Sequence, residues 1–409
     1  MNQQSAQLQH FINKQFGKIK TKQPLVFSND TIRFIKNING LIIQSHLEWI
    51  KREKYIFANS LQKIPKGSKF SYIPEQIQQK IDQMFEPVST RYEFTIKSRK
   101  VRVFLTGSQF QEKKMKKCLQ KIFMWLYVVN KYTTPSCAKY LDVYIYFTDL
   151  QKKIPTIDLE PMDSIHVNTA FTFSCNPTQQ GSQEKPVEIT VFREQEWFKV
   201  FIHETFHCLG LDFSSMNTET CDKTIRSLFH IQVNDIRVYE CYTESCAGII
   251  HAIFYVHFSM VFSKDIENMD IIYAKIRETM ANEILFSQFQ CVKILDHFGL
   301  KYIDLIADSR ESRELSKKYS EKSQIFSYYV LKSIVLFYMN DFISWIKTNN
   351  RGSISFVKTQ ENIDHFCVFF REHYIDYNNN LLDIENIFEN IKNNKTMELE
   401  TMRMTLHEL

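Results

Sequence analysis

The chain has 409 residues, 44% hydrophobic and 24% charged, with a formal net charge of +5. That allows a large core and more than one structural unit, and it excludes a disordered chain and a disulfide miniprotein. Glycine numbers only 9, about 2% against a usual ~7%. Neither GxGxxG nor GxxxxGK[ST] occurs, so dinucleotide and Walker-type phosphate binding lose their main support. The charge is also thinner than the basic footprint of a nucleic-acid binder.

Residues 1–25 are polar and basic and read as a helix or a loose arm, with no apolar run of a secretory signal. Residues 26–90 mix short apolar runs with turns, among them Ile64-Pro65-Lys66-Gly67. Arg91 to Leu105 alternates on both sides of Ser98-Arg99 and predicts a β-hairpin. Gln109 to Asn130 carries Met115, Cys118, Leu119, Ile122, Phe123 and Leu126 at helical spacing. Tyr140–Thr148, His166–Phe173 and Val187–Phe192 predict three strands. From Glu194 the pattern is helical: 194–208, 239–262, 266–299, 311–347 and 361–392.

The expected fold class is therefore α+β: a small mixed sheet and a helix packed on it in an upper lobe, above a mostly helical lower lobe. The expected units are an N-terminal α+β region at 1–108, the upper lobe at 109–213, the lower lobe at 214–395 and a polar, frayed tail at 396–409.

The nine cysteines contain no CxxC pair. They predict free thiols and an intracellular, reducing compartment. The most apolar stretch, Ala247 to Phe262, falls short of the ~20 residues of a membrane span and reads as a core helix. A basic run (Lys97, Arg99, Lys100, Arg102) is followed by a helix with a basic outer face (Lys113, Lys114, Lys116, Lys117, Lys121). Charge runs are usually solvated faces, so nucleic acid is not an expected partner.

The chemistry-bearing segment is His203-Glu204-Thr205-Phe206-His207. On a helix, residues i and i+4 share a face, so both imidazoles can point at one ion. Glu204 then stands where it can take a proton from a metal-activated water, and Zn²⁺ is the expected cofactor, one per chain. With 12 His in 409 residues, chance yields this motif about 0.02 times. Apolar neighbours (Trp197, Val200, Phe201, Phe206) predict a helix packed on the sheet, and Gly210 marks its stop.

A third ligand must come from elsewhere. Phe213 occupies the position where HExxHxxGxxH has its last His, and Asp212 is one residue off that register, so Asp212 is expected to support the ligands instead. Glu240 and Glu244 are both available on a later helix. Glu244 is preferred because Ala247 and Gly248, on the same face, let the two helices approach closely, and Glu240 is expected to hydrogen-bond a ligand His. Candidate donors to a developing oxyanion are Tyr328, Tyr329 and His251, the last two turns beyond Glu244 on the same face. His230, His257 and His297 read as structural.

HETFH with a downstream Glu resembles the gluzincin class of zinc metallopeptidases. Over Tyr140 to Ala247, through EWFKVFIHETFHCLGLDFSSM and VYECYTESCA, the chain is similar to zinc peptidases encoded by large nucleocytoplasmic DNA viruses. The resemblance implies a zincin-like α+β fold with the HExxH helix in the upper lobe, His203, His207 and Glu244 as ligands, Glu204 as base, a protein or peptide substrate, and a host-cytoplasm or virion location. It departs where gluzincins often carry an Asp four residues after the ligand Glu, since Gly248 stands there. The class also aligns substrates along an edge strand, which would put Asn168, Thr169 and Ala170 at the cleft. The expected function is a zinc metalloendopeptidase; the alternative is a zincin-fold structural or virion-associated protein with little turnover.

Overall fold

Two alternating runs meet at the tight turn Lys97-Ser98, where Lys97 takes a left-handed φ of 51°, and form the hairpin β2 and β3 of one six-stranded sheet. The strands are β1 (Phe57–Leu61), β2 (Pro87–Ile96), β3 (Arg99–Ser108), β4 (Tyr140–Phe147), β5 (Ala170–Thr172) and β6 (Val187–Val191). This computed structural model describes the chain except residues 1–2, 109–110, 135–136, 176–181, 183–184, 262, 264–267 and 395. Gln109, Phe110, Phe262 and residues 266–267, which the expected elements included, lie outside the described residues.

The strand order is β1-β2-β3-β4-β6-β5. β3, β4 and β6 run parallel, while β1, β2 and β5 pair antiparallel with their neighbours. The sheet thus crosses the expected boundary at residue 108. It is apolar on both faces. Along β4, Leu141, Val143 and Ile145 join the main core, while Tyr144 and Tyr146 turn to a second cluster with Phe70, Phe104 and Phe192.

Helices form the rest. The first, Gln3–Lys22, buries Leu8, Ile12 and Phe16, so of the two readings of the N-terminus, helix or loose arm, the helix is found, and it is docked. The expected helices at 194–208, 239–262, 266–299 and 361–392 are found as Trp197–Cys208, Val238–Met260, Met269–His297 and Gln360–Ile391. The expected helix 311–347 is broken into Arg310–Ser316, a π-helical turn Phe326–Leu331, Lys332–Phe337 and Met339–Asn349. Such a wide turn within a helix often marks a functional position. The strand expected at His166–Phe173 shrinks to β5, because Ser164–Val167 forms a helical turn with Asp163 as its N-cap.

Two further expectations are corrected. The tail does not fray: Met402, Arg403, Thr405, Leu406 and His407 are buried, and Met402 and Leu406 belong to the main core. Nor are all cysteines free. Cys137 pairs with Cys175 and Cys221 with Cys367, which weighs against a reducing compartment. Cys118, Cys208, Cys241, Cys246 and Cys291 are unpaired and buried. No helix among the described residues is long and apolar enough to cross a membrane.

Candidate metal centre

The helix Trp197–Cys208 lies wholly in the interior, every residue buried. Trp197 meets Phe147 of β4 edge-on at 5.7 Å, and Trp125 stacks on Phe206 while donating to Thr205 Oγ1 at 2.7 Å. These contacts fix the helix roll, and with it the direction of His203 and His207. The helix ends at Gly210, whose φ of +69° suits glycine. The amides of Gly210 and Leu211 return to the carbonyls of His207 and Phe206. A Cβ at Gly210 would also crowd Cys137 and Cys175 at 3.2 Å. The reversed chain then carries Asp212 back beneath His207.

Three donor atoms converge. His203 Nε2 and His207 Nε2 are 3.1 Å apart, His203 Nε2 and Glu240 Oε2 are 3.1 Å apart, and His207 Nε2 and Glu240 Oε2 are 3.3 Å apart. A tetrahedral ion with bonds of ~2.0–2.1 Å has ligand–ligand edges of about 3.3–3.4 Å. The triangle therefore fits one small cation, and His203, His207 and Glu240 form a buried group able to hold a metal ion.

The far side of each ring is also occupied. His207 Nδ1 bonds to Asp212. His203 Nδ1 bonds to Glu244 Oε2 at 3.0 Å, and Glu244 Oε1 is met by Lys199 and, at 2.9 Å, by Lys332. A carboxylate on the outer nitrogen orients an imidazole and leaves the inner nitrogen to the metal. The expectation for the third ligand is thus reversed: Glu240 joins the histidines, and Glu244, one turn on, supports His203 from behind. The two helices do approach closely, but Gly248 plays no part in it, since a Cβ there would meet nothing within 4 Å. With Glu240 as the third ligand, a carboxylate does stand four residues later, at Glu244.

The electrostatics follow from burial and charge. Burial alone would lower the His203 imidazole, but its hydrogen bonds to Glu240 and Glu244 outweigh that and raise it. Burial would raise the Glu240 carboxyl, and His207 and His203 together hold it down. A cation in the triangle would take over the role of those protons. Glu204 is buried, and among the described residues it has no hydrogen-bond partner; burial pushes its carboxyl up.

Glu204 and His203 line a cleft with Asn168, Thr169, Ala170 and Tyr328. Tyr328, in the π-helical turn, donates to Glu240 Oε2 at 3.2 Å. The other two oxyanion candidates lie elsewhere. Tyr329 donates to the Met402 carbonyl at 2.5 Å. His251 is buried beside Phe198 and held down to about 3 by burial, far too low for a cationic donor near neutral pH. β5 is the terminal strand of the sheet. Thr169 O accepts from Phe192 N at 2.9 Å, so by alternation the N–H and C=O groups of Ala170 and Thr172 face the outer edge.

Several residues of the surroundings are not among the expected site residues. Lys332 also donates to the Met404 carbonyl at 2.6 Å, and Met404 lines the cleft. Glu196, at a left-handed φ of 60° before the motif helix, accepts from Lys152 at 2.7 Å and from the amides of Met404 and Thr405 at 2.8 and 2.6 Å. A non-glycine residue in that conformation persists only where its surroundings fix it. Half of the basic run on the hairpin is engaged: Arg99 is buried against the Ala138 and Cys137 carbonyls and Arg102 forms a two-point pair with Asp142 at 2.7 Å, while Lys97 and Lys100 are exposed.

No family model, curated protein or solved structure matches this chain.

Proposed function

We propose that the chain is a zinc-dependent metallopeptidase of the gluzincin type, with His203, His207 and Glu240 as ligands. The observation carrying this reading is the triangle of donor atoms with the buried Glu204 beside it, in a cleft bordered by an outer sheet edge. A bound zinc ion supplies Lewis acidity, polarising a scissile carbonyl and bringing a water pKa from 15.7 towards ~7. Glu204 takes the proton of the attacking water and hands it to the leaving amine. Tyr328, its hydroxyl 3.2 Å from Glu240, is the donor placed to meet the developing oxyanion. Burial and then Glu240 raise its pKa well above the ordinary phenol value, so it stays a donor at neutral pH. Ala170, with Thr172 one alternation further along β5, aligns the substrate backbone along the edge, and Asn168 and Thr169 line the cleft beside it.

Two measurements test this. Protein purified without chelators is expected to carry one zinc per chain, and a metal-free product overturns the metal site. Glu204→Gln is expected to keep the zinc and lose about 10²–10⁴-fold in peptide hydrolysis. Undiminished hydrolysis in that variant assigns the base elsewhere. A zinc-loaded wild type that cleaves no member of a peptide library favours the structural or virion-associated alternative.

A further inference from the structure

Beside the outer edge of β5 stands a group of aromatic rings that the core does not absorb. Tyr72 is 62% exposed and Phe173, directly after β5, is 47% exposed. Their rings are 5.5 Å apart and edge-on, and Tyr72 lies 6.2 Å from Phe171 of β5 itself. Lys69 caps the group, its Nζ 5.3 Å from the Phe173 ring. Single exposed apolar residues are ordinary, but contiguous aromatic surface usually marks a contact site.

The shelf is rigidly built. The loop that carries Tyr72 is tied to the sheet through Glu188 of β6, which accepts from the amides of Ser68 and Lys69 at 3.0 and 3.2 Å. Gly67 lies so close that a Cβ would stand 2.6 Å from the Glu188 carboxylate. Phe70, two residues before Tyr72, is buried edge-on against Tyr146 at 5.7 Å.

The two faces of β5 have different neighbours. Ala170 faces the motif helix and lines the cleft with His203 and Glu204. Phe171 faces the opposite way, towards the second cluster. A peptide strand added to this edge must follow the same alternation, because side chains of paired strands share faces residue by residue. One set of its side chains then falls on the metal side, and the set one residue out of step falls on the shelf.

We propose that Tyr72, Phe171 and Phe173 form a specificity shelf that selects peptide substrates with aromatic or large aliphatic side chains at alternate positions along the added strand. The inference rests on the peptidase reading and adds the substrate class to it. Rings fixed before binding lose little freedom on contact, so apolar side chains gain most from them.

The test compares wild type with the double variant Tyr72→Ser/Phe173→Ser, both exposed positions, in two assays. In the first, a randomised decapeptide library is digested by the zinc-loaded proteins. Wild type is expected to favour Phe, Tyr or Leu at positions two residues apart, and the variant to lose that preference. For a favoured peptide, KM should rise about tenfold, a difference of 1.4 kcal/mol, with kcat little changed. An unchanged preference and KM overturn the proposal. In the second assay, a fluorescent peptide with alternating Phe is titrated into each protein on a Glu204→Gln background, so that no hydrolysis is needed. Tighter binding without the double substitution supports the shelf even if no hydrolysis is ever seen; equal binding overturns it. Absence of hydrolysis in the first assay, with shelf-dependent binding in the second, overturns the peptidase reading alone.

Discussion

His207 takes the partner of its outer nitrogen from its own stretch of chain, Asp212, reached across the turn at Gly210. His203 takes its partner from another helix, and that partner, Glu244, depends on Lys199 of the motif helix and Lys332 from beyond the π-helical turn. Lys332 in turn is tied to the buried tail at Met404. One half of the centre is thus a local device of a helix and its cap. The other half ties the donor triangle to packing across the interior. A local partner can be removed with the fold intact, whereas removing a distributed one leaves buried charges unanswered.

The largest effect should come from Glu244→Leu. It strands Lys199 and Lys332 in the interior, and unpairing a buried charge typically costs about 3–5 kcal/mol; urea unfolding of the metal-free protein measures it. A loss below ~1 kcal/mol would break the contrast between the two halves. Lys332→Met should be next. It removes charge-assisted hydrogen bonds to Glu244 and to the Met404 carbonyl, worth about 1.5–3 kcal/mol, and should expose residues 401–407 to limited proteolysis. Asp212→Asn should leave unfolding nearly unchanged and lower zinc affinity about 10–100-fold, read by competition with a chelating dye. Destabilisation equal to that of Glu244→Leu would show that the local half is not local.

The smallest effect is with pH. Burial would raise the Glu283 carboxyl, but His407 and the amides of Leu406 and His407 outweigh burial and bring it down to about 2. A depressed carboxylate contributes stability that is present above its ordinary value, near 4.5, and is lost as pH falls towards 2. Hydrogen exchange at the Leu406 and His407 amides, both donors to Glu283, should accelerate across that window. Unchanged protection there would detach the tail from this carboxylate.

The same contrast governs what the sequence disclosed. HExxH, its helix, the stop at Gly210 and the candidate Asp212 all sit within one short stretch, where helical periodicity and cap chemistry suffice. The hairpin, β4, β6 and the long helices from residue 112 on also follow from period, whereas the helix Asn29–Arg52 lies in a stretch that reads as short apolar runs with turns. Glu240 and Glu244 defeat such reading, because residues i and i+4 share one helical face and both reach the same imidazole. What separates them is the pair of lysines behind Glu244, at positions 199 and 332, and no spacing rule links those numbers. The tail did carry a signal: Met402, Met404 and Leu406 alternate with period two, the mark of an extended buried segment. Its polar intervening residues concealed this, since Arg403 and Thr405 find partners only in the folded interior: Arg403 at Ser5 and the Leu406 carbonyl, Thr405 at Glu283.

The buried tail also imposes an order in time. Residues 402–405 hold Glu196, at the start of the motif helix, and Lys332, behind Glu244, and they are translated after every other residue of the centre. At roughly 5–20 residues per second, about 10–40 s pass between synthesis of the HExxH segment and synthesis of the tail that secures it. During that interval a nascent chain holds the histidines, Glu204 and Glu240 without the tail contacts that tie down Glu196 and Lys332, so these last supports of the centre form only when residues 402–405 dock.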